Sequence, residues 1–130
     1  MKILHLVDTL RSGGAERMAV NICNVLSKDK KNSVFLFSTR EKGDLHKTLN
    51  KNVNFKCLYK KNFFDFKSFK KILFLIKKNK IKIVHVHSNS IFWSFFIKLL
   101  NSNIKLIWHD HTGARKEKII KNFFLRIISL

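Results

Sequence analysis

The sequence predicts an α/β domain built around a doubly wound parallel sheet. Short apolar runs alternate along the chain with longer segments in which apolar residues recur at helical spacing. The short runs are apolar at nearly every position, which is typical of parallel strands that helices cover on both faces. A hydrophobic content of 45%, with 13 Phe among 130 residues, indicates a packed core and argues against disorder.

Five of the apolar runs are the predicted strands. Each is short and is followed by a segment with a different, helical or polar, pattern. The predicted strands are KILHLV (2–7), SVFLFS (33–38), VNFKCLY (53–59), IKIVHVH (81–87) and IKLIWHD (104–110).

The segments between these strands contain the predicted helices. A first helix at 14–28 directs one side inward, namely Ala15, Met18, Ala19, Ile22, Val25 and Leu26. A basic amphipathic helix at 66–78 directs inward Phe66, Phe69, Ile72, Leu73 and Ile76. The other predicted helices are a short one around Leu45 to Leu49, one capped by Ser88 or Ser90 that runs to about Leu100, and one that begins near Arg115.

The last stretch of the sequence, EKIIKNFFLRIISL, is apolar on nearly every side. A helix of that kind requires cover that the rest of this chain does not supply. We therefore expect residues 1–130 to be the N-terminal part of a longer protein, with this domain incomplete at its C-terminal end.

The charge of the chain is strongly unbalanced. There are 27 Lys and Arg against 8 Asp and Glu, a formal net charge of +19. Such a field favours anionic partners such as phosphates, acidic lipids or nucleic acid. Nucleic acid is the least supported of these, because no RNA- or DNA-binding motif is present and the aromatic residues fall at core spacing.

The basic helix at 66–78 has two interpretations. Its lysines, which follow Phe63 and Phe64, are Lys67, Lys70, Lys71, Lys77 and Lys78. They form either a solvated helix face or a patch that binds an anionic membrane surface.

The two cysteines and the apolar runs indicate the compartment. Cys23 and Cys57 lie in apolar patterns and are predicted to be buried free thiols in a reducing environment. No signal peptide is visible, and the longest apolar run, IFWSFFIKLL, is too short to cross a bilayer. These features predict a cytoplasmic protein.

Two adjacent glycines, Gly13 and Gly14, lie between the first strand and the first helix. In doubly wound sheets, ligands bind beyond the carboxyl ends of the strands, where the winding direction switches. Glycines there let a ligand approach the backbone, and the following helix N-terminus favours anions. The dinucleotide fingerprint G-x-G-x-x-G is absent, and a tight turn without a ligand remains the alternative.

Four of the six histidines fall at the predicted ends of two strands: His85, His87, His109 and His111. Alternate residues of a strand share a face, so each pair can converge on one side. Three interpretations remain open, namely structural hydrogen bonding, a metal site that includes Asp110, and contact with a substrate. His5, in the first strand, and His46, in a polar loop, have no predicted role.

Three segments in order resemble glycosyltransferase family 4, the retaining enzymes of the GT-B fold. They are KILHLVDTLRSGGAERMAVNICNVLSK, FFDFKSFKKILFLIKKNKIKIVHVHSNS and IKLIWHDHTGAR. The resemblance implies that the chain is the Rossmann-like, acceptor-side half of a two-domain enzyme. Such enzymes hold the donor mainly in a C-terminal domain with a Glu-x7-Glu motif. That motif is absent from this sequence, so we expect the chain alone to be inactive or nearly so.

The resemblance also implies roles for individual residues. His109 corresponds to a cleft histidine that contacts the reacting sugar, and is the expected catalytic residue. The expected substrate-binding residues are Gly13, Gly14, Glu16, Arg17, His87 and His111.

The resemblance implies substrates and a setting as well. The substrates would be a nucleotide sugar and a glycan or lipid-linked acceptor, with no cofactor and no catalytic metal. The enzyme would act in surface polysaccharide or glycolipid synthesis, in the cytoplasm or at the inner face of the membrane. The alternative function is a stand-alone basic α/β module that binds an anionic partner.

Overall fold

The computed structural model describes residues 1–62, 64–87 and 91–109. The predicted cap residues Ser88 and Ser90 and the predicted helix from Arg115 lie outside the described residues. The elements, in chain order, are β1 (Lys2–Val7), α1 (Gly14–Leu26), β2 (Ser33–Ser38), a 3₁₀ helix (Asp44–Thr48), β3 (Val53–Cys57), α2 (Phe66–Asn79), β4 (Ile83–His87), α3 (Ile91–Leu100) and β5 (Lys105–His109).

The five strands form one parallel sheet with the order β3-β2-β1-β4-β5. The chain winds outward in one direction from β1 to β3, then crosses back to place β4 on the other side of β1. This is the order of Rossmann-like sheets, in which the crevice for ligands opens beyond the carboxyl ends of the strands at the switch in direction. Here the switch lies between β1 and β4.

Helices cover the sheet on opposite faces. One face packs against α2 and α3, and its core includes Leu4, Leu6, Val84, Val86, Ile72, Ile76, Trp93 and Ile97. The other packs against α1, and its core includes Val7, Val34, Leu36, Ala19, Val20 and Cys23. The predicted doubly wound α/β domain is confirmed.

The first helix forms where it was predicted, and Ala19 and Leu26 contribute to the core as predicted, but Met18 and Val25 do not face inward. Met18 and Val25 are 45% and 64% exposed, whereas the buried residues of α1 are Ala19, Val20 and Cys23. The 3₁₀ helix is the reason, because α1 packs against it as well as against the sheet. Asn24 fixes this contact: its Nδ2 donates to Thr48 O at 2.9 Å, and its Oδ1 accepts from Asn50 N at 2.7 Å.

In α2, the predicted inward residues Ile72 and Ile76 are buried, but Phe66 is 69% exposed. The N-terminal cap explains the difference. Asp65 Oδ1 accepts a hydrogen bond from Ser68 N at 3.0 Å, and Ser68 Oγ donates one to Leu58 O at 3.4 Å. This turns Ser68 inward in the first turn of α2, and Phe66 remains on the outside.

The two cysteines differ in environment. Cys23 is fully buried, and this burial raises the pKa of its thiol to about 12. Cys57 is only half-buried, so the prediction of two buried thiols was wrong for this residue; both are free. Among the described residues, no helix combines the length and apolar character that a membrane span requires.

A cleft at the switch point of the sheet

A small polar cavity opens beyond the carboxyl ends of β1 and β4, at the switch point. Its volume is about 110 Å³, and it is lined by Val7, Asp8, Thr9, Ala15, Glu16, Arg40 and His87. β1 supplies Val7 at its end, the loop after β1 supplies Asp8 and Thr9, α1 supplies two residues from its first turn, and β4 supplies His87. The fold therefore converges on the position that doubly wound sheets use for ligands.

Asp8 is the centre of a charged network in this cavity. Thr39 Oγ1 donates to Asp8 Oδ1 at 2.7 Å, the Arg40 guanidinium pairs with Oδ2, and Lys60 Nζ lies 3.7 Å from Oδ1. Two cations surround one carboxylate, so positive charge remains available to an anionic ligand. The sequence analysis did not select Asp8, although its place as the first charged residue after a buried strand could have indicated it.

Gly13 and Gly14, which directly precede Ala15 and Glu16 in the chain, are not required by the backbone. Gly13 is the N-cap of α1 with an extended φ of −148°, and its carbonyl accepts from Arg17 N at 3.0 Å. A Cβ at Gly13 would meet only the flexible carboxylate of Glu16, and a Cβ at Gly14 would meet nothing within 4 Å. The space beside Gly14 is therefore open, next to the residues that line the cavity.

The predicted substrate-binding residues are only partly brought together. Gly13 and Gly14 directly precede Ala15 and Glu16 at the cavity, and His87 lines it from β4. Arg17 is exposed on α1 and is not among the lining residues. His111 lies outside the described residues, as does Asp110.

Four histidines form a cluster on one face of the sheet beside this cavity. The parallel register pairs His5 with His85 and His87 with His109, so all four side chains share a face. The ring centroids of His85 and His87 are 4.3 Å apart, and those of His87 and His109 are 5.9 Å apart. His109, the expected catalytic residue, is thus placed next to a residue that lines the cavity.

His5 is the member of the cluster that the sequence analysis missed. Its side chain is fully buried, and its Nδ1 lies 3.2 Å from Nε2 of His87, so one nitrogen donates the shared proton and the other accepts it. Burial, together with the nearby His85, lowers the pKa of His5 to about 3. His5 is therefore a neutral imidazole at physiological pH.

This arrangement can bind a polar or anionic ligand. The first turn of α1 presents backbone N–H groups that have no partner within the helix, and its dipole favours negative charge. Arg40 and Lys60 add positive charge beside Asp8, and His87 and His109 add groups that can donate or accept hydrogen bonds.

The comparison with known protein families agrees with this geometry. The model of Glycosyltransferase Family 4 matches residues 12–129, which include α1, the strands that carry three of the histidines, and most of the residues that line the cavity. Neither a curated protein nor a solved structure matches the chain significantly. Because the family match extends over most of its length, the chain belongs to glycosyltransferase family 4.

Proposed function

We propose that this chain is the acceptor-side domain of an enzyme that transfers a sugar from a nucleotide donor to an acceptor hydroxyl with retention of configuration. The product would be a surface polysaccharide or a glycolipid. The observation that carries the proposal is the open space at Gly14 beside the polar cavity. Glycine at the start of a helix lowers its stability relative to alanine. Since neither the backbone nor a neighbouring protein atom requires glycine there, a ligand is the natural reason for it.

The polar groups of the cavity suit a sugar and its phosphates. His109 and His87 would hydrogen-bond to hydroxyl groups of the reacting sugar, and Glu16 would accept from an acceptor hydroxyl. The positive charge around Asp8 and the N-terminus of α1 would face the diphosphate of the donor. The rest of the donor site would belong to a second, C-terminal domain, so this chain alone would transfer sugar slowly or not at all.

Substitution of Gly14 by valine tests the proposal in the complete enzyme with its donor-binding domain. Gly14→Val should fold normally, because a Cβ at this position meets no protein atom within 4 Å. It should transfer sugar at least tenfold more slowly, a loss of about 1.4 kcal/mol of transition-state stabilisation. Circular dichroism and melting temperature check the fold, and turnover with a nucleotide sugar checks the activity. Wild-type turnover in Gly14→Val would contradict the proposal.

The histidines are tested in the same enzyme. His109→Ala should lower turnover at least tenfold, whereas His46→Ala should not change it, because His46 Nδ1 bonds to Gly43 O away from the cavity. If His111→Ala lost activity while His109→Ala kept it, the assignment at this strand end would be wrong by two residues. If both variants stayed fully active, neither histidine would contact the reacting sugar.

A second proposal concerns α2, which we infer to bind the surface of an anionic membrane. Phe64 and Phe66 are 66% and 69% exposed at its N-terminal end, beside an apolar cavity of about 180 Å³ lined mainly by aromatic residues. Three exposed lysines follow within the first two turns, Lys67, Lys70 and Lys71. Exposed aromatic rings beside lysines suit the headgroup region, where each lysine contributes about 1 kcal/mol.

Vesicle binding tests this second proposal. The protein should bind vesicles that contain phosphatidylserine more tightly than neutral ones, and added salt should weaken the binding. Replacement of Lys67, Lys70 and Lys71 by glutamine should weaken it further. The matched control replaces Lys28, Lys30 and Lys31, which are exposed between α1 and β2, and removes the same charge. Equal loss in both triple variants would indicate attraction by net charge alone.

A further inference from the structure

Three histidines of the cluster have the composition and spacing of a metal site. His5, His85 and His87 each offer one ring nitrogen, and these nitrogens lie within 4.8 Å of one another. They come from two adjacent strands, β1 and β4, at the switch point of the sheet. We propose that His5, His85 and His87 bind one divalent transition-metal ion, with Zn²⁺ as the ion that fits them best.

The distances are close to those of a tetrahedral zinc site. With Zn–N bonds of about 2.0–2.1 Å, neighbouring nitrogens of such a site are about 3.3 Å apart. Nδ1 of His5 and Nε2 of His87 already have this spacing, at 3.2 Å. The third nitrogen must approach by at most about 1.5 Å to complete the set. The rings are in mutual contact: His85 and His87 are stacked with their centroids 4.3 Å apart, and His5 and His85 are tilted with their centroids 4.9 Å apart.

The contacts of His5 indicate which of its nitrogens would bind the ion. Its side chain is 0% exposed, and Nδ1 is the nitrogen that lies 3.2 Å from Nε2 of His87. Nδ1 is therefore the ligand atom of His5 in this site. Nε2, which has no hydrogen-bond partner among the described residues, would carry the proton of the imidazole.

Charge and donor type select the ion. Three imidazoles and no thiolate suit zinc, copper or nickel, and tetrahedral geometry favours zinc among them. The net charge of +19 opposes any cation. However, Glu16 lines the same cavity as His87 and supplies negative charge nearby, whereas the charge of Asp8 is already balanced by Arg40 and Lys60. Water would complete the coordination from the cavity.

Such an ion would join β1 to β4 and fix the floor of the cleft. Three imidazoles and one water molecule would give the ion an open site, in contrast to the four protein ligands of a structural zinc site. Binding of the ion does not depend on the proposed sugar transfer, and the absence of a catalytic metal stays a prediction.

Cobalt binding to the full chain tests the site. The protein, produced without a histidine tag, is treated with a chelator, dialysed and titrated with Co²⁺ and then with Zn²⁺. One equivalent of Co²⁺ per chain should give the intense visible bands of tetrahedral coordination, and Zn²⁺ should abolish them. His5→Gln and His85→Gln should each weaken binding at least tenfold, and His46→Ala should bind as the wild type does.

The outcomes separate a metal site from a hydrogen-bonded cluster. A folded wild-type protein that binds neither ion at micromolar concentration would overturn the proposal, as would binding that His85→Gln leaves unchanged. His85 is only half-buried, so its variant should fold even if loss of the buried His5 prevents folding. Circular dichroism of each variant before titration verifies this.

Discussion

Glycine occurs for two different reasons at Gly43 and at Gly14. At Gly43 the backbone itself requires it, because φ is +62° and a Cβ would overlap the backbone of Leu10. The loop after β1 is held in place there, since Leu45 N donates to Leu10 O at 3.0 Å. At Gly14 the protein makes no such demand. The same residue type is therefore required by the fold at one position and, under the proposed function, leaves space for a ligand at the other.

A matched pair of alanine substitutions tests this distinction. Gly43→Ala should lower the free energy of unfolding by about 2 kcal/mol or more, because alanine is strained at positive φ and its Cβ meets backbone. Gly14→Ala should leave the free energy of unfolding unchanged or raise it by up to about 1 kcal/mol, from better helix propensity. Urea denaturation of the two variants measures both changes. Equal losses would mean that Gly14 also has a conformational role.

Single residues of the site differ in how far the sequence predicts them. His85 and His87 could be placed on one face because alternation within a strand is local, whereas the position of His109 beside them depends on the pairing of β4 with β5. His5 could not be placed with them, since its position depends on which strand pairs with β1 and in what register. Asp8 was missed for a similar reason, because its partners Thr39, Arg40 and Lys60 are distant in sequence.

At the scale of elements, α1 determines the geometry of the cleft. Its first turn carries Gly14 and Glu16, so any rotation of the helix moves both relative to His87. Asn24 holds this orientation through two hydrogen bonds. One joins it to Thr48 in the 3₁₀ helix, and the other joins it to Asn50 in the segment that follows this helix. The predicted inward face was wrong for Met18 and Val25, because this second neighbour is not visible in the helical pattern.

An alanine substitution at Asn24 should destabilise the protein by about 1–2 kcal/mol, because two backbone groups lose their partner. Asn21→Ala on the same helix is the control, since Asn21 is exposed and alanine is the better helix former. Urea denaturation should separate the two variants clearly. An Asn24→Ala protein as stable as Asn21→Ala would show that hydrophobic contacts alone orient α1.

The strands were predicted more accurately than the helix faces. β1 and β2 have the predicted bounds, and β3 and β4 are each shorter than predicted by two residues at one end. β5 begins one residue later than predicted, and its predicted last residue, Asp110, lies outside the described residues. A buried parallel strand is apolar on both sides, so its presence does not depend on which face is inward. A helix has one inward side, and its direction depends on neighbours such as the cap at Asp65, which directs Ser68 and not Phe66 inward.

For the whole molecule, the dominant feature is the net charge of +19. Like charges repel in the compact state and are farther apart in the unfolded chain, so the charge opposes folding. The ion pairs of the described residues offset little of this, because most of their side chains are largely exposed. Stability should therefore depend on how strongly the solvent screens charge.

Salt should raise the melting temperature of this protein. The distance over which charges interact falls from about 30 Å at 0.01 M salt to about 10 Å at 0.1 M, which removes most of the repulsion between exposed lysines. We expect an increase of several degrees in NaCl over this range, measured by circular dichroism. The variant with glutamine at Lys67, Lys70 and Lys71 should melt higher than the wild type at low salt and gain less from added salt. A melting temperature that is independent of salt in both proteins would show that the charge is spread too widely to affect folding.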